Sequence, residues 1–318
     1  MRLDRLAAFV ATVDEDGTSA LADRAAAHWD MPPGSARYVR TSAHAVFSVP
    51  GGYLRLVAAA DADLRHGAAR HQATADLAAA GAPVATLRPS AAGRWVEQVE
   101  DPVLGLVRAT VTSAVPGTGP ELDELSAADV AAWGASLAAF HAAGRSVPLG
   151  ALPRWTDEVR ASVPADGSEL ATAVDAWVAE CLRRLGPPDT CLHGDPQPDN
   201  IGWAASRPTF FDLDDLAVGW PVVDLAFAVR DAAPLPVLEP PVLTSAAGAA
   251  LLAAYGGPDA EQLAVAGLVQ RLSAAATSGR LRAALAGPSA VSDPPWLLGL
   301  RARLAKTAAD LHAALLAS

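Results

Sequence analysis

Apolar and polar positions alternate along residues 38–49 and again along 52–57, with Pro50, Gly51 and Gly52 between them. A period of two broken by a Pro-Gly turn predicts a β-hairpin. Residues 94–100 and 105–115 are rich in Val and Thr and predict further strands. Two helices are expected among these strands. One spans 18–29 with Thr18 or Ser19 as its N-cap, and one spans 63–80, closed by Gly81 and Pro83. A Pro/Gly cluster at 115–120 then interrupts the pattern, and the period changes to that of helices. Ser126 caps a helix running to about Ala143, with Asp129 as its capping-box partner. Val130, Trp133, Leu137, Phe140 and His141 share one face of it, where His141 reads as a packed or hydrogen-bonded histidine. A second helix over 168–185 stops at Gly186-Pro187-Pro188. A short strand, a loop and another short strand follow. Helices are expected over 222–231, 242–255, 259–284 and 297–316.

Composition narrows the class. A chain of 318 residues that is 51% hydrophobic can bury a large core, either as one two-lobed domain or as two small ones. The net charge of -11 argues against nucleic acid as a partner, because phosphate contacts need clustered cations. It is compatible with a cationic acceptor, though surface acidity that serves only solubility explains it more simply. The two cysteines, Cys181 and Cys191, have no metal-ligand spacing, which suits a reducing cytoplasm. No secretory apolar region follows the charged first 17 residues, and the Ala-rich stretch 245–255 is too short to span a bilayer. No membrane association is therefore expected.

The chemistry concentrates in 191–226. There His193-Gly194-Asp195 is followed by Asn200, by Asp212 after Phe210-Phe211, and then by Gly219 and Asp224-Leu225-Ala226. An aspartate opening a tight loop can take a proton from an attacking hydroxyl. An asparagine five positions later, with an aspartate at the end of the next strand, can hold magnesium on nucleotide phosphates. Phosphoryl transfer asks mainly for positioning and charge neutralisation, which a few oxygen ligands on a rigid loop supply. No Gly-x-x-x-x-Gly-Lys-Ser/Thr, Gly-x-Ser-x-Gly or His/Cys cluster supports a P-loop NTPase, a hydrolase or a zinc site.

In its order and spacing this ensemble resembles the aminoglycoside phosphotransferase and choline kinase family of small-molecule kinases. The resemblance implies an α+β, two-lobed, protein-kinase-like fold, with a small antiparallel-sheet N-lobe over 1–115 and a larger, mainly helical C-lobe over 116–318. It implies Asp195 as catalytic base, and Asn200 and Asp212 as ligands of Mg2+. His193, Gly194 and Asp224 would support the catalytic loop, and Arg55 would be the phosphate contact on the second hairpin strand. The lysine alternative at that strand is absent, since Lys306 is the only lysine in the chain. The phosphoryl donor implied is ATP, with GTP as the alternative, and the acceptor is a hydroxyl of a small molecule such as an aminoglycoside, amino alcohol or sugar. Asp199, Asp215 and Trp220 are candidates to face it, and Asp215 either binds an amine or is a solvated or supporting carboxylate. The chain is expected as a monomer or homodimer.

Three departures qualify the resemblance. Gln197 and Trp220 stand where the family usually has His and often has Asp. Arg70 stands where it usually has the Glu that pairs with the strand cation, which leaves Glu97 or Glu100 as substitutes. That third departure supports the rival reading, a kinase-like protein that binds nucleotide or a small molecule without turnover.

Overall fold

The computed structural model describes residues 2–61, 65–115, 117, 122–164, 167–204, 207–232, 236–257, 260–287 and 293–317. The chain forms two compact units, one from Met1–His71, Ala85–Ala114 and Ala283–Leu304, the other from Gln72–Val84, Val115–Arg282 and Ala305–Ser318. The turn expected over 115–120 lies, apart from Val115 and Gly117, outside the described residues.

The first unit is built on an antiparallel sheet. Its helices α1 (Leu3–Val10) and α2 (Ala20–Ala26) precede the strands β1 (Arg37–Thr41), β2 (Ala45–Val49) and β3 (Gly52–Ala58). After α3 (Gly67–Ala79), whose residues from Gln72 on belong to the second unit, come β4 (Leu87–Arg88), β5 (Val96–Asp101) and β6 (Gly105–Ser113). The strand order is β1-β2-β3-β6, and β4 and β5 share the far edge of β6. Burial alternates residue by residue along β2 and β3, as a sheet with one covered face requires. Phe47, Leu54, Leu56, Val107, Ala109 and Val111 point into a core closed by Phe9, Leu21 and Trp29. Ser19 is the helix cap, its hydroxyl accepting the Ala22 N–H at 3.4 Å.

The second unit opens with α4 (Ala127–Gly144), whose Ser126 and Asp129 make both bonds of the expected capping box. Next come α5 (Trp155–Ser162), α6 (Glu169–Leu185), β7 (Thr190–Leu192), β8 (Ile201–Ala204), β9 (Arg207–Phe210) and β10 (Ala217–Gly219). Helices α7 (Pro221–Ala228), α8 (Ala246–Tyr255), α9 (Ala260–Ala264) and α10 (Ala266–Leu285) follow, and the last described helix is α11 (Pro295–Ala317). Trp133, Leu137 and Phe140 are fully buried on the face of α4 that the sequence periodicity marks. That helix packs on β7, β9 and most extensively α8. Among the described residues no helix is long and apolar enough to cross a membrane.

Three local expectations need correction. Residues 38–49 are two strands, β1 and β2, turned at Ser42–His44, because a bend inside an alternating run leaves the alternation intact. The helix expected over 259–284 is two helices, broken at Val265, and residue 259 lies outside the described residues. Helices α1 and α5 were not expected at all. Each is only eight residues long, shorter than the window in which a helical period stands out.

The contact of α4 with α8 depends on a missing side chain. A Cβ on Gly134 would stand 2.6 Å from the Ala254 Cβ, 2.8 Å from the Tyr255 nitrogen and 2.9 Å from the Leu251 oxygen. Two of those atoms are backbone and cannot rotate away. Gly134→Leu is therefore expected to lower the unfolding free energy by about 1–3 kcal/mol, the usual range for overpacking. A urea melt checks this as a lower midpoint at unchanged slope.

Candidate functional site

The paired strands β7 and β10, with Leu192 opposite Ala217 and Thr190 opposite Gly219, carry the chain into His193-Gly194-Asp195. The loop is tied down by Asp224, on the first turns of α7 and fully buried. Its Oδ2 accepts the His193 N–H at 2.7 Å and its Oδ1 accepts the Gly194 N–H at 2.9 Å. The His141 Nε2 lies 2.9 Å from Oδ2 and donates to it. On the other side of that ring the Tyr255 hydroxyl is 3.0 Å from Nδ1. Burial pushes the Tyr255 phenol up to about 12, so at neutral pH it remains a donor. Gly194 is required here. Its φ is 88°, and a Cβ would meet the Asp215 oxygen at 2.5 Å.

The His193 ring is held between the Phe140 and Phe210 rings, at 5.9 and 5.5 Å. Its Nε2 is 3.0 Å from the Phe211 carbonyl, which can only accept, so the proton sits on Nε2. Nδ1 is then free to accept the Asp195 N–H at 3.3 Å. His193 thus acts on the backbone of the loop.

The hairpin of β8 and β9 pairs Ile201 with Phe210. One more bond, from the Phe211 N–H to the Asn200 carbonyl at 3.0 Å, extends its ladder. Asn200, the residue before β8, and Asp212, two residues past β9, flank that open end. The Asn200 amide nitrogen donates to the Asp195 carbonyl at 3.0 Å, a bond that does not use its Oδ1. Asp212 has φ 62°, a left-handed conformation that Asp adopts more readily than most residues, and it turns the chain away from β9. Among the described residues no group of three His, Cys, Asp or Glu side chains could form a metal cage. An amide oxygen and one carboxylate fit magnesium all the same, because this ion takes one or two protein carboxylates and completes its shell with phosphate and water.

The Asp195 carboxylate has 29% of its surface exposed and lies 3.3 Å from the Arg230 Nη1. Burial pushes its pKa above the ordinary aspartate value. Arg230 and His193 pull it down, and Asp215 and Asp199 add to the rise. Those two acidic candidates therefore lie within electrostatic reach of Asp195. Asp199 is exposed, and Asp215 is paired with Arg280 at 3.2 Å. Trp220 is not brought to this group by its side chain. It is 3% exposed, and its indole N–H donates to the Gly186 carbonyl at 3.2 Å.

Arg55 belongs to the other unit. It sits on β3 with its guanidinium 3.1 Å from the His44 Nδ1. Sheet register rules out Glu97 as its orienting partner. Arg55 stands opposite Thr110 and Thr110 opposite Val96, so Glu97 points to the other face. There it is buried and held by Ser90, by Arg94 and, at 3.8 Å, by His28, with the Arg94 hydrogen bond foremost in lowering its pKa. Glu100 lies on the Arg55 face but four positions along from Val96, and it is exposed.

Two residues at this site escape sequence reasoning. Arg230 closes the run Asp224-Leu-Ala-Phe-Ala-Val-Arg230, and Asp231 follows it and accepts the Gln197 amide at 3.1 Å. The usable signal was a lone cation six positions beyond Asp224, in a stretch otherwise apolar.

The sequence profile of the phosphotransferase enzyme family matches residues 39–268. None of the curated proteins matches the chain. Among solved structures, an amicoumacin kinase superimposes with a TM-score of 0.69 at 17% identity, covering 96% of both chains. A microcompartment-associated aminopropanol kinase gives 0.60 at 19% identity, covering 91% of this chain and 94% of its own. A choline/ethanolamine kinase family protein from Mesorhizobium loti gives 0.58 at 18%, covering 94% and 100%. These likenesses establish the small-molecule-kinase fold, α+β with an antiparallel sheet and a helical part. With more than half of its length matched by the profile, the chain belongs to the phosphotransferase enzyme family.

Proposed function

We propose that this phosphotransferase moves the γ-phosphoryl group of ATP, or of GTP as the alternative donor, to a hydroxyl of a small molecule, with Asp195 as the base. One observation carries the reading: the loop bearing Asp195 is bonded directly to Asn200, which shares the open end of a hairpin with Asp212. Support for a nucleotide comes from two neighbours of the same fold. The amicoumacin kinase was solved with AMP-PNP and Ca2+, and a spectinomycin phosphotransferase with ADP and spectinomycin.

In the proposed reaction the acceptor oxygen bonds to the γ-phosphorus, and the bond from that phosphorus to the β–γ bridging oxygen breaks. ADP leaves with that electron pair, and the hydroxyl proton passes to the Asp195 carboxylate. Arg230 and the amide of Asn200 hold the residue on both sides, through its carboxylate and its carbonyl. Asn200 Oδ1 and the Asp212 carboxylate would hold magnesium, which when bound neutralises charge on the phosphate oxygens. On this reading residues 1–115 contribute Arg55 as a phosphate contact, and residues 116–318 contribute the base, the metal ligands and the acceptor contacts. One observation favours the rival reading, binding without turnover: Glu97 is committed to Ser90 and Arg94 on the sheet face away from Arg55.

Asp195→Asn keeps the shape of the loop and removes the proton acceptor. Transfer is expected to fall by about 10²–10⁴-fold, while the thermal shift given by ATP with magnesium persists. Undiminished ADP release by the variant would refute the assignment. Asp212→Ala is expected to erase the magnesium-dependent part of that shift, which in the parent chain reaches about 2.7 kcal/mol at a hundredfold excess of ligand over its Kd. Titration with and without EDTA checks it, and equal shifts in variant and parent would remove Asp212 from the metal site.

A further inference from the structure

The unit that carries Asp195 also holds a partly open cavity of about 180 Å3 between the end of α7, the segment 237–242 and α10. Phe227, Leu238, Val242 and Ala274 form apolar walls, and Arg230 and Asp231 form a polar edge. Because the Arg230 Nη1 is 3.3 Å from Asp195 Oδ1, that edge adjoins the proposed base.

The polar lining is largely committed to the protein itself. Gln270 receives the Val242 N–H on its oxygen at 2.7 Å and gives its amide to the Val237 carbonyl at 3.2 Å. Asp231 is the only carboxylate among the lining residues; Arg230, which it shares with Asp195, lies 3.6 Å away, and Gln197 donates to it. A cationic amine entering here would meet the Arg230 guanidinium on the same edge as that carboxylate, so the lining offers no net counter-charge for the water it gives up. A neutral apolar body would gain from leaving water. One lining group is uncommitted: the buried Ser273 Oγ has no hydrogen-bond partner among the described residues.

We infer that this cavity is the acceptor pocket and that its acceptor is a compact, uncharged, largely apolar alcohol with one further hydrogen-bonding group for Ser273. The inference rests on the phosphotransferase reading above. The alcohol oxygen takes the γ-phosphoryl group of ATP as the β–γ bridge breaks, its proton goes to Asp195, and the products are a phosphate monoester and ADP.

The test uses the full chain with ATP and magnesium and measures ADP release and phosphomonoester formation. The neutral probes are benzyl alcohol, cyclohexylmethanol and 2-phenoxyethanol, and the charged ones are 2-aminoethanol, 1-amino-2-propanol and kanamycin. The expected kcat/KM for the best neutral alcohol exceeds that for every charged probe at least tenfold. Ala274→Leu should move the preferred alcohol to a smaller one and Leu238→Ala to a larger one, opposite shifts that general damage to the fold would not produce. A preference for the charged probes overturns the inference, as does an unchanged size ranking in both variants. No turnover of any neutral alcohol, by a chain that shows the magnesium-dependent ATP shift, also overturns it. Absence of that shift in the parent chain overturns the phosphotransferase reading itself, and the pocket assignment with it.

Discussion

A carboxylate with no contact with water fixes the geometry of the site. Asp224 accepts two successive backbone N–H groups, those of His193 and Gly194, and is approached by His141 from α4. An uncompensated buried carboxylate would cost several kcal/mol. Hydrogen bonds to a charged group return about 1.5–3 kcal/mol each, so three donors turn the liability into a rigid anchor. The anchor acts on the backbone, so it sets the direction in which the chain leaves β7 and thereby where Asp195 emerges.

The surrounding parts can be read as ways of keeping that anchor dry and in register. Phe140 and Phe210 close on the His193 ring, and Tyr255 satisfies the far nitrogen of His141. The glycine at 134 lets α8 approach α4 closely enough for that hydroxyl to reach. The bond from Asn200 to the Asp195 carbonyl then couples the anchored loop to the β8–β9 hairpin. The proposed base and the candidate metal ligands are in this way placed by backbone hydrogen bonds more than by side-chain contacts. Such placement tolerates wide sequence change, and at 17–19% identity the fold is still shared with the small-molecule kinases.

That distribution of constraints explains what was legible beforehand. The capped helix over 127–144, with Trp133, Leu137 and Phe140 inward, follows from its period and its Ser-x-x-Asp cap. The β2–β3 hairpin follows from alternation and a Pro-Gly turn. His141 was recognisable as a satisfied core histidine, but not as the partner of a residue 83 positions away. Long-range pairings carry no periodic signal. For the same reason Arg230 went unnoticed as the neighbour of Asp195. Trp220 looked available to a ligand because nothing local reveals that the Gly186 carbonyl, 34 residues earlier, takes its indole N–H. A search along the chain for a carboxylate to serve Arg55 could reach Glu97, whereas strand parity turns that side chain to the opposite face.

The charge balance of the site has the same character. A net charge of -11 suggests an acidic surface ready for a cation, yet several carboxylates near Asp195 have cations within the protein. Asp215 faces Arg280, and Asp231 and Asp195 share Arg230, with Gln197 also donating to Asp231. Net charge counts residues, whereas recognition depends on charge left unpaired at the place where a ligand sits. In this unit the cavity beside Arg230 has aliphatic and aromatic walls, and among the described residues the Ser273 hydroxyl on its lining has no hydrogen-bond partner. The acidity of the chain therefore says little about its acceptor.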